Sequence, residues 1–89
     1  MGIISLTLDV LKPRMPTIVE LAKQIERIKG VERVEIVVEE IDEKTESLKI
    51  VITGRDLDYD KIHACIERMG ASIHSVDRVI TGAPQGRSS

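Results

Sequence analysis

The spacing of apolar residues in this chain changes twice from the two-residue period of a strand to the period of a helix. This repeated change constrains the fold more than any other feature. Apolar residues first alternate with polar ones, as on a strand with one buried face: Ile4, Leu6, Leu8 and Val10. They then recur at helical spacing: Ile18, Leu21, Ala22, Ile25 and Ile28. Pro16 or Thr17 is placed to open this predicted helix, and Gly30 is placed to close it.

The middle of the chain predicts a hairpin. Two runs alternate apolar and polar residues as strands do: Val34, Ile36 and Val38, then Leu48, Ile50 and Ile52. The polar segment 42–47 between them is turn-like, and two strands joined by a short polar loop form a hairpin.

A second helix and a last strand follow. Asp58 is the predicted N-cap of the helix, and Gly70 follows its last turn. The apolar stripe of this helix consists of Ile62, Cys65, Ile66 and Met69. The last strand lies within 73–80, but its apolar residues do not keep one parity: Ile73, Val76, Val79 and Ile80. A bulge would explain that pattern, and the facing of this strand stays open.

The two halves match in spacing as well as in order. Leu6 precedes Ile25 by 19 residues, and Leu48 precedes Ile66 by 18. Two interlocked split βαβ units form the ferredoxin-like α+β fold, a βαββαβ two-layer sandwich. Right-handed crossovers then predict an antiparallel sheet of order 4-1-3-2 with both helices on one face. We expect a single domain over residues 1–81 and a flexible C-terminal tail at 82–89.

Charge and cysteine content exclude several partners and sites. The 13 Lys and Arg are interleaved with 15 Asp and Glu, so we expect no phosphate-binding patch and no nucleic-acid partner. The single cysteine allows neither an internal disulfide nor a Cys-x-x-Cys motif. Without a signal peptide or an apolar run of about 20 residues, a cytoplasmic location without membrane contact is expected. Having no Asn beside 31% charged residues is typical of thermophiles.

Four spaced segments resemble an archaeal family of uncharacterised proteins known as domain of unknown function 211. They are residues 8–13 (LDVLKP), 38–42 (VEEID), 54–58 (GRDLD) and 70–77 (GASIHSVD). The resemblance covers the whole chain except the tail, and it implies a ferredoxin-like fold, an archaeal source and a ring-like homo-oligomer. The family has no established activity, so the resemblance supplies neither a function nor catalytic residues.

The ferredoxin-like fold hosts unrelated functions, so each must be tested at its own site. An RNA-recognition domain stacks bases on aromatic residues of its sheet, whereas the one aromatic residue here, Tyr59, starts a helix. A copper chaperone needs paired thiols, and an acylphosphatase uses an Asn that this chain lacks. We therefore expect no enzyme. An enzyme formed at a subunit junction, with His74 as acid or base, stays as the less favoured alternative.

Asp9 and His74 are the most specific candidate pair. In the order 4-1-3-2 the end of strand 1 lies beside the start of strand 4. Asp9 could therefore orient His74 as a carboxylate orients a histidine ligand or base. With Asp77 they would form a polar ligand-binding site. A structural hydrogen bond to a half-buried imidazole is the alternative.

Charged residues near the predicted loops suggest two further sites. Among the carboxylates around the hairpin, Glu39, Asp42 and Glu46 are candidate ligands for Ca²⁺ or Mg²⁺. The alternative is a solvated charge run that protects an edge strand. Lys12 and Arg14 could hold an anion at the N-terminus of the first helix, with a solvated loop as the alternative. No other cofactor is expected.

The second face of the sheet bears on oligomeric state. Alternation predicts a mixed surface there, on which a partly apolar set stands among polar residues. The set is Thr7, Val37, Ile41, Val51 and Thr53, and the polar residues are Ser5, Asp9, Glu35, Glu39 and Lys49. A monomer would expose this patch, so we expect the sheet face, or the edge of strand 2 or 4, to pack against another subunit. The sequence thus predicts an archaeal, non-enzymatic, homo-oligomeric interaction or regulatory module. A binding protein for a divalent metal or a small anionic ligand is the alternative.

Overall fold

A computed structural model describes residues 2–84 and confirms the ferredoxin-like α+β fold. The elements are β1 (Gly2–Pro13), α1 (Ile18–Glu26), β2 (Val31–Ile41), β3 (Thr45–Leu57), α2 (Tyr59–Arg68) and β4 (Ser72–Gly82). The antiparallel strands lie in the order β2-β3-β1-β4, which is the predicted order 4-1-3-2 counted from the other edge. Of the predicted tail, positions 85–89 lie outside the described residues.

The core lies between the helices and one face of the sheet, and it is aliphatic. Alternate residues of β1 and β3 are buried: Leu6, Leu8, Val10, Leu48, Ile50 and Ile52. The helices add buried residues at helical spacing: Leu21, Ile25, Ile62, Cys65 and Ile66. We call this covered side of the sheet the helix side and the other side the open face.

Both helices begin at the predicted caps. The Thr17 hydroxyl accepts the Glu20 N–H at 3.2 Å, and the Glu20 carboxylate accepts the Thr17 N–H at 2.9 Å. This reciprocal pair is a capping box, which satisfies two N–H groups that a helix terminus leaves free. The Asp58 carboxylate accepts the Lys61 N–H at 3.2 Å, and this single bond caps α2.

The end of α1 differs from the prediction. The helix ends at Glu26 rather than just before Gly30, because the backbone tightens into a turn. The Ile28 N–H bonds to the Ile25 carbonyl at 3.0 Å, three residues back instead of four. Gly30 still has a necessary place in this turn, at φ +94°, where a Cβ would lie 2.6 Å from the Arg55 carbonyl oxygen.

The β2–β3 hairpin is tighter than predicted. The Asp42 N–H donates to the Thr45 carbonyl at 2.8 Å, and β3 already begins at Thr45. Residues 45–47 therefore belong to a strand and not to the turn. This places Glu46 opposite Lys12 of β1 on one side and opposite Ile41 of β2 on the other.

Two bulges settle the facing of β4. Val10 pairs with Ile73 and Asp9 with Ser75, so His74 is an extra residue of β4 without a partner in β1. Leu8 pairs with Val76 and Thr7 with Arg78, so Asp77 is extra in the same way. The apolar residues at every third position, Ile73, Val76 and Val79, consequently pair with inward-facing residues of β1 and share the helix side. The predicted bulge is confirmed, and a second bulge accompanies it.

Candidate functional site

Sheet order and the β4 bulges bring Asp9 and His74 to the same place. Both residues line a shallow depression on the open face, together with Leu11 and Ser47. His74 is exposed rather than half-buried, so its imidazole does not require a structural partner. Asp77 does not line this depression, and its carboxylate accepts the Ser75 hydroxyl at 2.7 Å. The depression thus offers a carboxylate and an imidazole to a ligand, without a third group from Asp77.

The predicted metal ligands are not gathered into a site. The Glu46 carboxylate lies 2.9 Å from the Lys12 ammonium, and the Glu39 carboxylate lies 3.9 Å from the Lys49 ammonium. Within residues 2–84 no group of three His, Cys, Asp or Glu side chains is arranged to hold a metal ion. Glu39 and Glu46 thus each contact a lysine, and the structure does not gather them with Asp42 into one group.

Lys12 overturns the expectation of a solvated loop or an anion site. Its side chain is fully buried, and its ammonium donates to the carbonyls of Pro13, Arg14 and Pro16 at 2.8, 3.2 and 2.7 Å. With Glu46 it has four oxygen partners, so no donor is left for an anion. A buried charge is tolerated only when it is paired and hydrogen-bonded in this manner.

The alternation of β1 contains the missed signal for Lys12. Even-numbered residues of this strand face the helices, and position 12 continues the series that Leu6, Leu8 and Val10 begin. The alternation therefore predicts an inward-facing lysine. The identity of its partners is not local information, because Glu46 and the carbonyls of 13–16 converge only in the folded chain.

The open face is mixed, as the alternation predicts, but Ile41 is not on it. The bulge after Val38 shifts the alternation of β2, so Ile41 lies opposite Glu46 on the helix side. Val37, Val51, Thr7 and Thr53 keep the predicted facing, as their register partners indicate. Charged residues are interspersed among them: Asp9, Arg33, Glu35, Lys49 and Arg78. The open face is consequently the mixed surface that the alternation predicts, without Ile41.

An uncovered apolar surface lies on the helix side at β4. Val76 and Val79 are 42% and 50% exposed, although they pair with the buried Leu8 and Leu6 of the next strand. Ile73 is the one residue of this series that packs against the core. We call Val76 and Val79 the valine strip. Sequence reasoning missed it, and its signal is the three-residue repeat of apolar residues in β4.

Cys65 is unsuited to nucleophilic chemistry. The thiol lies on the core side of α2, and burial raises its pKa, with a smaller opposing effect from the Arg68 guanidinium. A thiol nucleophile needs a lowered pKa and access to solvent. Cys65 therefore acts as a small core residue, as its place in the helical stripe predicts.

Comparisons with known proteins identify relatives. The family model described as "Uncharacterized ArCR", domain of unknown function 211, matches residues 5–84. The chain is 42% identical over 81 residues to "Uncharacterized protein MJ0319" of Methanocaldococcus jannaschii, which is 91% of this chain and 84% of that protein. Among residues 2–84 no helix is long and apolar enough to cross a membrane. Neither description names an activity, a ligand or a partner.

Proposed function

We propose, from the premise that this chain belongs to the archaeal family of domain of unknown function 211, that it is a non-enzymatic module that acts by self-association. The observation that carries the proposal is the valine strip, an apolar surface beside the core that neither helix covers. Its occupant is a second copy of the chain.

The valine strip has the properties of an incomplete core. Val76 and Val79 continue the buried rows of Leu8 and Leu6 toward the edge of the sheet. Fully burying such a side chain is worth about 1.5–3 kcal/mol, so covering two half-exposed valines contributes roughly 1 kcal/mol each. A contiguous exposed apolar patch is a common sign of protein association.

The bulges of β4 favour packing onto the face of the strand over pairing along its edge. A bulged edge does not present the regular row of N–H and C=O groups that another strand needs. A second copy would therefore contact the valine side chains rather than extend the sheet through β4. Nucleic acid and membranes are not part of the proposal, because the basic residues are interleaved with acids.

The geometry of association decides the size of the assembly. A contact between identical surfaces of two copies gives a dimer, whereas a contact between two different surfaces repeats until a ring closes. The ring-like form that the family resemblance implies corresponds to the second case. A regulatory role would follow if a ligand bound only the assembled form.

A small-ligand site is the second candidate function. It is supported by the shared depression of Asp9 and His74 on the open face, where a carboxylate and an imidazole are accessible together. A divalent cation or a small anion is the corresponding ligand class. We favour self-association because the valine strip is an apolar surface without cover, whereas polar side chains on an open face are stable in water.

Native mass spectrometry of the protein, purified without added metal or chelator, tests both candidates. Self-association predicts a homo-oligomer without a small adduct. A reproducible small mass on each subunit would favour the ligand-binding candidate instead. A bare monomer at micromolar concentration would contradict the proposed function and leave the fold alone standing.

A further inference from the structure

Three segments that are distant in sequence line one cleft, at the place where β3 ends and α2 begins. The cleft has a volume of about 450 Å³ and six lining residues: Lys29, Gly30, Arg55, Asp56, Asp58 and Lys61. Small-molecule sites have volumes of roughly 300–1,000 Å³, so this one is large enough for a metabolite. We call it the end cleft. It shares no lining residue with the open-face depression of Asp9 and His74.

Hydrogen bonds fix the backbone beneath the side chains of the end cleft. The Arg55 N–H donates to the Gly30 carbonyl at 3.0 Å, which holds the α1–β2 turn against the end of β3. Gly54 permits this close approach, because a Cβ at that position would collide with the Gly30 carbonyl oxygen. The Asp58 carboxylate accepts the Lys61 N–H at 3.2 Å and fixes the third segment. The cleft is therefore formed before a ligand enters, as small-molecule sites usually are.

The charges of the end cleft favour an anion. Its lining holds three cations and two carboxylates: Lys29, Arg55, Lys61, Asp56 and Asp58. Within residues 2–84 neither of the two lysines forms an ion pair, and the Arg55 guanidinium meets Glu32 through Nε at 3.2 Å. The chain as a whole has a net charge of −2, so the excess of cations here is local. A bound anion would offset the repulsion among the three cations.

A phosphate ester that carries hydroxyl groups fits both signs of charge. Its phosphate has a charge of roughly −1.5 to −2 at pH 7 and three strong acceptor oxygens, which suit three cations. The two carboxylates would repel a bare anion, but they accept hydrogen bonds from hydroxyl groups of the same ligand. A divalent cation fits poorly, because the described part of the chain gathers no three ligating side chains and the cations would repel it. Nucleic acid fits poorly as well, because the carboxylates interrupt the basic surface that it needs.

We propose that the end cleft binds a small phosphorylated polyol, of the class of the sugar phosphates. The three cations hold the phosphate group, and the two carboxylates accept hydrogen bonds from the hydroxyl groups. The cleft attracts the anion through its side chains rather than through the terminus of α2, because Asp58 already caps that helix. The inference goes beyond the proposed function, since one chain can bind a metabolite without self-association.

NMR titration of the nitrogen-labelled protein tests the site with three probes: glycerol phosphate, ribose phosphate and glucose phosphate, each esterified at a primary hydroxyl. We expect at least one probe to bind with a Kd of about 1 mM or tighter and to shift the amide signals of the six lining residues. Lys29→Gln combined with Lys61→Gln should weaken this binding about tenfold or more, because two charged hydrogen bonds are lost. Both lysines are exposed, so the variant is expected to fold. No binding of any of the three probes to the wild type would overturn the proposal.

A variant with the same loss of charge outside the cleft is the matched control. Lys23→Gln combined with Lys44→Gln changes two exposed lysines that do not line the end cleft, and it should bind the probe as the wild type does. Equal weakening in the two double variants would trace the effect to net charge alone and overturn the site. Shifts centred on Asp9 and His74 would assign the probe to the open-face depression and overturn it as well.

Asp56→Asn combined with Asp58→Asn tests the recognition of hydroxyl groups. Asn tolerates the positive φ of Asp56, +49°, and is as good an N-cap as Asp. The wild type should prefer the bound ester over inorganic phosphate about tenfold or more. The variant should lose most of this preference, because an amide repels inorganic phosphate less and accepts weaker hydrogen bonds than a carboxylate. A wild type without the preference, or a variant that retains it in full, would overturn the assignment of a polyol.

Discussion

The two edge strands, β2 and β4, occupy equivalent places in the sheet but differ in cover and regularity. On β2 the helix-side residues Val34, Ile36 and Val38 all pack against the core. On β4 Ile73 does so, while Val76 and Val79 are exposed. The β2 register with β3 is regular from Arg33 to Val38, whereas β4 is interrupted twice over a comparable length.

The difference shows how a small domain can leave apolar side chains of an edge strand uncovered without presenting a regular strand edge. On β2 the core extends to the margin, and alternating charges such as Arg33 and Glu35 face the other way. On β4 the bulges put His74 and Asp77 into the strand as extra residues and interrupt its edge. The valine side chains of β4 can then pack against a partner. A regular apolar edge strand would offer the same side chains, but it could also pair with other strands and aggregate.

The largest expected effect is that truncating a helix-side residue of β2 lowers the free energy of unfolding more than truncating one of β4. Ile36→Ala should lower the free energy of unfolding by about 2 kcal/mol, near the lower end for such truncations, because Ile36 is only partly buried. Val76→Ala should cost less than about 0.5 kcal/mol in the monomer, because Val76 is exposed. Urea unfolding at high dilution measures both, and equal losses would break the comparison.

Loosening the helix that borders each edge should have the next largest effect. Thr17→Ala removes the capping box of α1, and Asp58→Ala removes the cap of α2; each should cost about 1 kcal/mol. Thermal unfolding followed by circular dichroism measures the losses. Thr17→Ser keeps the hydroxyl and serves as the matched control. Losses below a few tenths of a kcal/mol for both alanine variants would show that these caps do not hold the helices.

Removing one bulge should convert β4 into a more regular edge. Deletion of Asp77 leaves Val76, Arg78 and Val79 in simple alternation, with both valines still on the helix side. We expect the domain to remain folded and to aggregate on standing, because the straightened edge can pair with other strands. Light scattering over time measures this. An equally soluble deletion variant would show that the bulge does not protect the edge.

The smallest expected effect concerns the buried thiol of α2. Burial raises the pKa of Cys65, so in the unfolded chain the thiol loses its proton at a lower pH than in the folded one. The folded state is therefore favoured by this residue below the unfolded pKa, and this contribution is lost as pH rises above about 8.5. Urea unfolding should show a steeper alkaline loss for the wild type than for Cys65→Ala. Parallel curves would contradict the assignment.

Local patterns in the sequence predict most of the fold because each pattern reports on adjacent residues. The alternation of Leu6, Leu8 and Val10, and the caps at Thr17 and Asp58, are of this kind, and the structure confirms them. The sheet order also brings Asp9 beside His74 as predicted. The errors come from bulges and distant contacts.

Bulges and long-range pairs explain what the patterns could not supply. A bulge in β2 moved Ile41 to the helix side, because one extra residue reverses every later facing. The pairing of Lys12 with Glu46 depends on strand register, and it gives Glu46 a counter-ion that the local pattern does not predict. Both features involve residues that interact across strands, so no short window of sequence contains them.

Sedimentation velocity of three proteins at micromolar concentration tests the central claim, that the valine strip is a self-association surface. They are the wild type, the variant with Val76→Ser and Val79→Ser, and Val37→Ser, a control that is 48% exposed on the open face of β2. The account predicts an oligomeric wild type and control and a monomeric double variant. An oligomer that survives in the double variant, or a monomeric wild type, would contradict it.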